Sequence, residues 1–206
     1  MAYRQLRYRG PDHPSLLYYD RSAEHTIVAG TFSKSFSPGL RVGWGILPAE
    51  LVEPVCNQKG NIDFGSPNFN QHLMHRVLQL GWFDTHVQRI CEAYRTKLDA
   101  MLGAARRSLS DLPEVHWICP QGGLYVWVEL PPAVDTGLSG PLFQRAIDEG
   151  VLYVPGEYCF PMVGEPVRKH TIRLSFGVQT PERIECGMQA LGRAIHDVLG
   201  TITTDE

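Results

Sequence analysis

Residues 31–44 read TFSKSFSPGLRVGW, and the organisation of the chain follows from that stretch. Just before and overlapping it, TIVAGT over 26–31 is apolar and β-branched, the pattern of a buried strand. Pro38-Gly39 is a turn signal. VGWGIL over 42–47 has the pattern of a second strand. Lys34 therefore stands on the bend of a strand–turn–strand unit, among Thr31, Ser33, Ser35 and Ser37. Of the four lysines (Lys34, Lys59, Lys97 and Lys169), Lys34 alone lies between a strand and a glycine-containing turn. A lysine amine becomes a nucleophile where burial and nearby cations disfavour its charged form. Hydroxyls and a following arginine suit a phosphate ester placed beside it. A continuous helix would align Arg41 with Lys34, but Pro38-Gly39 rules that out; a loop can instead fold Arg41 back toward the same anion. On these residues alone, an ordinary surface lysine is the competing reading.

Outward from the bend, three helices are expected. One begins near Pro48, with Pro54 as its limit. One opens with Ser66 as N-cap and Pro67 at the first helical position, and runs to about Leu80. A long one covers about Phe83 to Arg107, with Val87, Ile90, Cys91, Tyr94, Leu98, Met101 and Leu102 at helical spacing. The rest alternates strand and helix: strands at 115–118, 124–130, 151–154 and 171–176, a helix from Pro141 to Glu149 closed by Gly150, and a last helix after Thr180-Pro181. The opening Tyr3–Asp20 is polar and turn-rich, and the tail after Gly200 is expected to fray. The expected organisation is two domains, 1–100 and 101–206.

The chain has 206 residues, 43% hydrophobic and 20% charged, with a formal net charge of -3. This is ordinary for a soluble globular protein, and no basic stripe points to nucleic acid. No apolar run approaches the ~20 residues a membrane-spanning helix needs, and no signal peptide is read at the start. The five cysteines, Cys56, Cys91, Cys119, Cys159 and Cys186, form no Cys-x-x-Cys pair. They read as free thiols in a reducing, cytoplasmic setting, with no metal site. His72 and His75 lack a carboxylate at ligand spacing and read as surface or packing residues. Arg173, in an apolar strand, needs a partner, and a structural salt bridge is one candidate. Trp117, Tyr125 and Trp127 read as core, and Gly122-Gly123 as either a simple turn or part of a site.

TFSKSFSPGLRVGW strongly resembles the lysine motif of the class I/II pyridoxal-phosphate (PLP) aminotransferases of fold type I, nearest the 2-aminoadipate and kynurenine-type branch. Other segments follow in the family's order. AYRQLRYRG resembles the strand end whose tyrosine touches the cofactor's phenolic oxygen. PQGGLYVWVELP resembles a substrate-side glycine turn and strand, VPGEYCFP a later loop, and TIRLSFG the strand whose arginine holds the substrate carboxylate. The resemblance runs from Tyr3 to about Leu199. It implies an α/β fold: a partial large PLP-binding domain followed by a small α+β C-terminal domain. It implies PLP as cofactor, joined to Lys34 as the catalytic residue. Tyr3 would contact the cofactor oxygen, Thr31, Ser33 and Arg41 the phosphate, and Arg173 the substrate α-carboxylate. The implied reaction moves an amino group between an amino acid and a 2-oxo acid, in a homodimer. Family members are about twice as long. Their pyridine-pairing aspartate, three positions before the residue matched by Tyr3, falls ahead of Met1, as does a glycine-containing phosphate loop. These 206 residues alone are therefore expected to be inactive. Two other functions are compatible with the same residues: the PLP-sensing domain of a transcriptional regulator, and an inert remnant.

Overall fold

A computed structural model describes residues 2–161, 163–164 and 167–204. The chain divides into two compact units, residues 1–92 with 121–123, and residues 93–120 with 124–206.

In the first unit, β1 (Val28–Thr31) and β2 (Gly43–Ile46) form a two-stranded antiparallel sheet in which Thr31 pairs with Gly43 and Gly30 with Trp44. A Cβ on Gly30 would lie 2.3 Å from the Trp44 ring, so glycine lets the indole cross its neighbour strand. The expected buried strand is shorter and barer than 26–31. Of β1 only Val28 is buried, and Ile27 and Ala29 are exposed, because a two-stranded ribbon covers little of either face. α1 spans Ala49–Asp63 and passes through Pro54, which was expected to end it. The carbonyl left without a helical donor there belongs to Glu50, which is exposed to solvent. α1 ends instead at Phe64, in the left-handed conformation at φ 53°. α2 spans Asn68–Gln79, one residue later than expected: Pro67 is the N-cap, its carbonyl takes the first helical bond from Gln71 N, and the Gln71 amide side chain takes the Ser66 carbonyl.

α3 runs Trp82–Leu109 and contributes residues to both units. Met74, Val77 and Phe83 form the buried cluster of the first unit, with Phe32, Phe36, Leu40 and Val87 packed on it.

The second unit holds a four-stranded antiparallel sheet in the order β3 (His116–Trp117), β4 (Tyr125–Glu129), β6 (Thr171–Ser175), β5 (Val154–Pro155), with α4 (Pro141–Asp148) and α5 (Pro181–Thr204). Alternation along β4 buries Val126 and Val128 and leaves Tyr125, Trp127 and Glu129 half-buried on the other face. Ile172 and Leu174 are buried from β6, as are Leu191, Ala194 and Ile195 from α5.

Gly150 closes α4 as expected: at φ 80°, its amide bonds Ile147 O and that of Val151 bonds Ala146 O. That closure uses the Val151 amide, so the strand expected over 151–154 reduces to Val154–Pro155. The tail expected to fray after Gly200 continues α5 to Thr204, with Asp205 and Glu206 outside the described residues. No helix among the described residues is long and apolar enough to cross a membrane.

Candidate functional site

The bend carrying Lys34 is one tight helical turn. Phe36 N and Ser37 N both bond the Phe32 carbonyl, at 2.8 and 3.0 Å. This spacing turns Phe32 and Phe36 to one side, where they meet Phe83 with ring centroids 5.6 and 6.4 Å away. The aromatic anchors fix the turn and leave Lys34 half-buried. Among the described residues its amine has no hydrogen-bond or ion-pair partner. The other lysines differ: Lys59 pairs with Asp63, Lys97 donates to the Gly177 carbonyl at 3.1 Å, and Lys169 is exposed.

The return of the chain is also fixed. The Phe32 amide and the Thr31 hydroxyl both bond the Val42 carbonyl, at 3.1 and 3.4 Å, which brings the residue after Arg41 back against the start of the bend. Thr31 Oγ1 lies 2.9 Å from Ser33 Oγ and accepts from the Ser33 amide at 3.1 Å. Arg41 is exposed, stands in the left-handed region at φ 53°, and donates to the Pro38 carbonyl at 3.1 Å. The carbonyl before it, of Leu40, accepts from Asn70 Nδ2 at 2.9 Å. Two hydroxyls and a guanidinium on one closed bend suit a phosphate ester. Backbone strain held at such a position accords with a functional constraint. Ser35, 1% exposed, has a buried hydroxyl with no partner among the described residues.

Tyr3 is 37% exposed and lies in a turn closed by Leu6 N to Tyr3 O at 3.0 Å. The strand end expected around it does not form. The extended pairing nearby is a single antiparallel bridge, Arg7 with Gly122. That bridge draws Tyr3 into one cavity of about 460 Å³ with Arg4, Arg7 and the Gly122-Gly123 turn. Both glycines are required by the backbone. A Cβ on Gly122 would stand 2.2 Å from the Leu6 carbonyl oxygen, and Gly123 has φ 81°. The turn is tied down by Gly123 N to Leu6 O and Tyr8 N to Gln121 O, each 2.8 Å, and by the Tyr8 hydroxyl on the Gly123 carbonyl at 2.5 Å.

Arg173 lies in the second unit, in the middle of β6. Its neighbours across the sheet are Trp127 and Val154. Its guanidinium carbon sits 4.4 Å above the centre of the Tyr125 ring, and its Nε is buried without a hydrogen-bond partner. The salt bridge weighed for Arg173 does not form among the described residues. Tyr125, expected in the core, is instead the surface on which the arginine rests. The bend thus unites Thr31, Ser33, Lys34 and Arg41, the cavity unites Tyr3 with the glycine turn, and Arg173 is held separately on β6. Sequence reasoning missed the contacts of Tyr125 and Asn70, which depend on strand register and on a partner 30 residues away.

The aminotransferase class I and II family model matches residues 1–191. The 2-aminoadipate transaminase of Thermus thermophilus is 37% identical over 98% of this chain and 49% of its own length. Aromatic-amino-acid aminotransferase 1 of Thermococcus litoralis is 33% identical over 95% of this chain and 45% of its own. A helix-turn-helix transcriptional regulator of Bacillus subtilis is 27% identical over 84% of this chain. Among solved structures, the α-aminoadipate aminotransferase of Thermus thermophilus, complexed with N-(5′-phosphopyridoxyl)-L-leucine, superposes with a TM-score of 0.88 at 36% identity, covering 98% of this chain and 50% of that one. The chain spans about half the length of the aminotransferases it matches and 34% of the regulator, and its fold is the corresponding part of the fold type I PLP-dependent transferases. The matched segments, in order and over nearly the whole chain, place it in one family: this chain belongs to the class I and II aminotransferases.

Proposed function

We infer that these residues supply the lysine, phosphate and carboxylate contacts of an aminotransferase that moves an amino group between an amino acid and a 2-oxo acid. The observation that carries this reading is Lys34, half-buried and unpartnered among the described residues, on a bend that also presents Thr31, Ser33 and Arg41. PLP, the cofactor of this family, supplies when bound an electron sink for the charge left when a substrate Cα loses its proton. Lys34 would hold the cofactor through its amine and would serve as the base at the substrate Cα proton. Thr31, Ser33 and Arg41 would hold the phosphate, with Arg41 offsetting its charge, and Tyr3 would contact the phenolic oxygen. Arg173 would take the substrate α-carboxylate in a planar two-pronged contact that lysine does not reproduce.

The first unit is read as part of the large cofactor-binding domain and the second as the small domain. A dimeric assembly is part of the reading; Ile62, Phe64 and Phe69, 80%, 97% and 76% exposed, are apolar surface that a second chain or the rest of the family's length would cover. The relatives' names make 2-aminoadipate and aromatic amino acids the first substrates to try. The test joins these 206 residues with the rest of the family's length and follows ¹⁵N transfer from L-2-aminoadipate or L-phenylalanine to 2-oxoglutarate. Transfer is expected to vanish in Lys34→Ala. Transfer that survives the substitution contradicts the reading.

A further inference from the structure

We propose that Tyr125 is a positioning residue: its ring is a neutral platform that orients the Arg173 guanidinium for a carboxylate ligand. The proposal rests on the reading of Arg173 as the carboxylate contact and deepens it. An arginine on a sheet is commonly steered by an acid on the neighbouring strand, and here the register shows why that does not happen. Arg173 pairs with Trp127, so its diagonal neighbours on β4 are Tyr125 and Glu129. Glu129 is already engaged, 3.5 Å from Arg168 Nη1 and 3.4 Å from His170 Nε2. On the other side stands Val154, which is apolar. The guanidinium therefore settles over Tyr125, 4.4 Å from the ring centre, within the range of a favourable cation–π contact.

The consequence is chemical. A carboxylate partner would occupy the in-plane N–H donors and cancel the charge. A ring contacts only the π-face of the guanidinium and leaves those donors and the full charge for a ligand. The buried, unpartnered Nε of Arg173 is the mark of this arrangement. A buried donor left unmade costs free energy, and a ligand carboxylate restores the missing bond. The ring face suffices for this role, so the Tyr125 hydroxyl is dispensable.

The test uses the 206-residue chain labelled with ¹⁵N-arginine and hexanoate as probe. The Arg173 Nε–Hε resonance is assigned by its absence in Arg173→Lys. In the wild type it is expected upfield, shifted by the ring beneath it, and to move saturably as hexanoate is added. Tyr125→Phe should keep both the ring shift and the hexanoate affinity. Tyr125→Leu should lose the shift and bind on the order of tenfold more weakly, and Arg173→Lys should abolish binding. Should Tyr125→Leu fail to fold, Tyr125→Trp, which restores a ring, replaces it and is expected to bind at least as well as wild type. Undiminished binding in Tyr125→Leu, weakening in Tyr125→Phe, or a loss of affinity in folded Tyr125→Trp overturns the platform while leaving Arg173 as the contact. Hexanoate binding undisturbed in Arg173→Lys, or no binding by wild type, removes the carboxylate contact itself and the platform with it.

Discussion

Adding one methyl group at Gly122 should damage the first unit more than adding one at Gly123, and for a different reason. Gly122 lacks a positive φ, so alanine meets no torsional penalty there. Its Cβ, however, would stand 2.2 Å from Leu6 O and 2.9 Å from Arg7 Cα. Both are backbone atoms and cannot swing aside, so the segment over residues 6–9 must move. If it yields and stays docked, the cost is that of overpacking, about 1–3 kcal/mol. If it detaches, the bonds from Tyr8 N, Arg9 N, Gly123 N and the Tyr8 hydroxyl are lost together, about 2–6 kcal/mol at a net ~0.5–1.5 each. Gly123 has open space around its Cβ position and pays only for φ 81°, about 1–2 kcal/mol. Urea unfolding followed by intrinsic fluorescence gives both values. Hydrogen exchange at the Tyr8 and Gly123 amides should accelerate in Gly122→Ala. Asparagine should be tolerated better than alanine at position 123, where left-handed φ is the problem, and no better at 122. A Gly122→Ala protein within about 0.5 kcal/mol of wild type, with both amides still protected, refutes the close-approach argument.

Arg41→Gly relieves a left-handed residue and removes only an exposed bond to Pro38. Folding stability should be unchanged or higher by up to about 1 kcal/mol, while affinity for pyridoxal phosphate, read by fluorescence quenching, falls. A clear loss of stability contradicts the strain assignment. Asp20 accepts from the His25 amide at 2.9 Å and from the Ser22 hydroxyl at 3.1 Å, which lowers its carboxyl from 3.8 to about 2, with the His25 amide the largest cause. Because the folded value is depressed, its stabilising contribution is complete above 3.8 and fades as the pH falls toward 2. A ¹³C titration should place the Asp20 midpoint near the lower value, and Asp20→Asn should flatten that part of the acid-stability curve. Burial raises the Cys91 thiol above its usual range, partly offset by a backbone hydrogen bond, whereas Cys56, Cys119, Cys159 and Cys186 are exposed. Thiol labelling at about pH 8 should modify those four first, and Cys91 reacting among the fastest contradicts the assignment.

The long elements were legible because periodicity reports burial directly. The stripe from Val87 to Leu102 fixed α3 to within two residues at its ends, and Thr180-Pro181 marked the start of α5. The misread element ends turn on local backbone hydrogen bonds that composition does not reveal. Pro54 carries a local sign of a helix end, yet α1 runs through it, and Glu50, whose carbonyl loses its helical donor, is exposed. Val151–Tyr153 has the composition of a strand, yet the Val151 amide closes α4. Around Lys34, two strand-like runs flanking Pro38-Gly39 were enough to name the bend, and the resemblance, not the spacing, supplied the roles expected of Thr31, Ser33 and Arg41. The Val42 carbonyl that accepts the closing bond, the Asn70 prop and the Phe83 anchor all lie outside the bend itself. Tyr125 was the least legible, because a half-buried aromatic on an alternating strand looks like core until the register sets Arg173 over it.

The central claim is that Lys34 is the amine that receives the cofactor aldehyde. Incubation of the chain with pyridoxal 5′-phosphate, reduction with borohydride and peptide mapping by mass spectrometry tests it most directly. The phosphopyridoxyl label is expected on Lys34 in excess over Lys59, Lys97 and Lys169, with that preference lost in Arg41→Ala. Label spread evenly over the four lysines, or concentrated on any of the other three, contradicts the account.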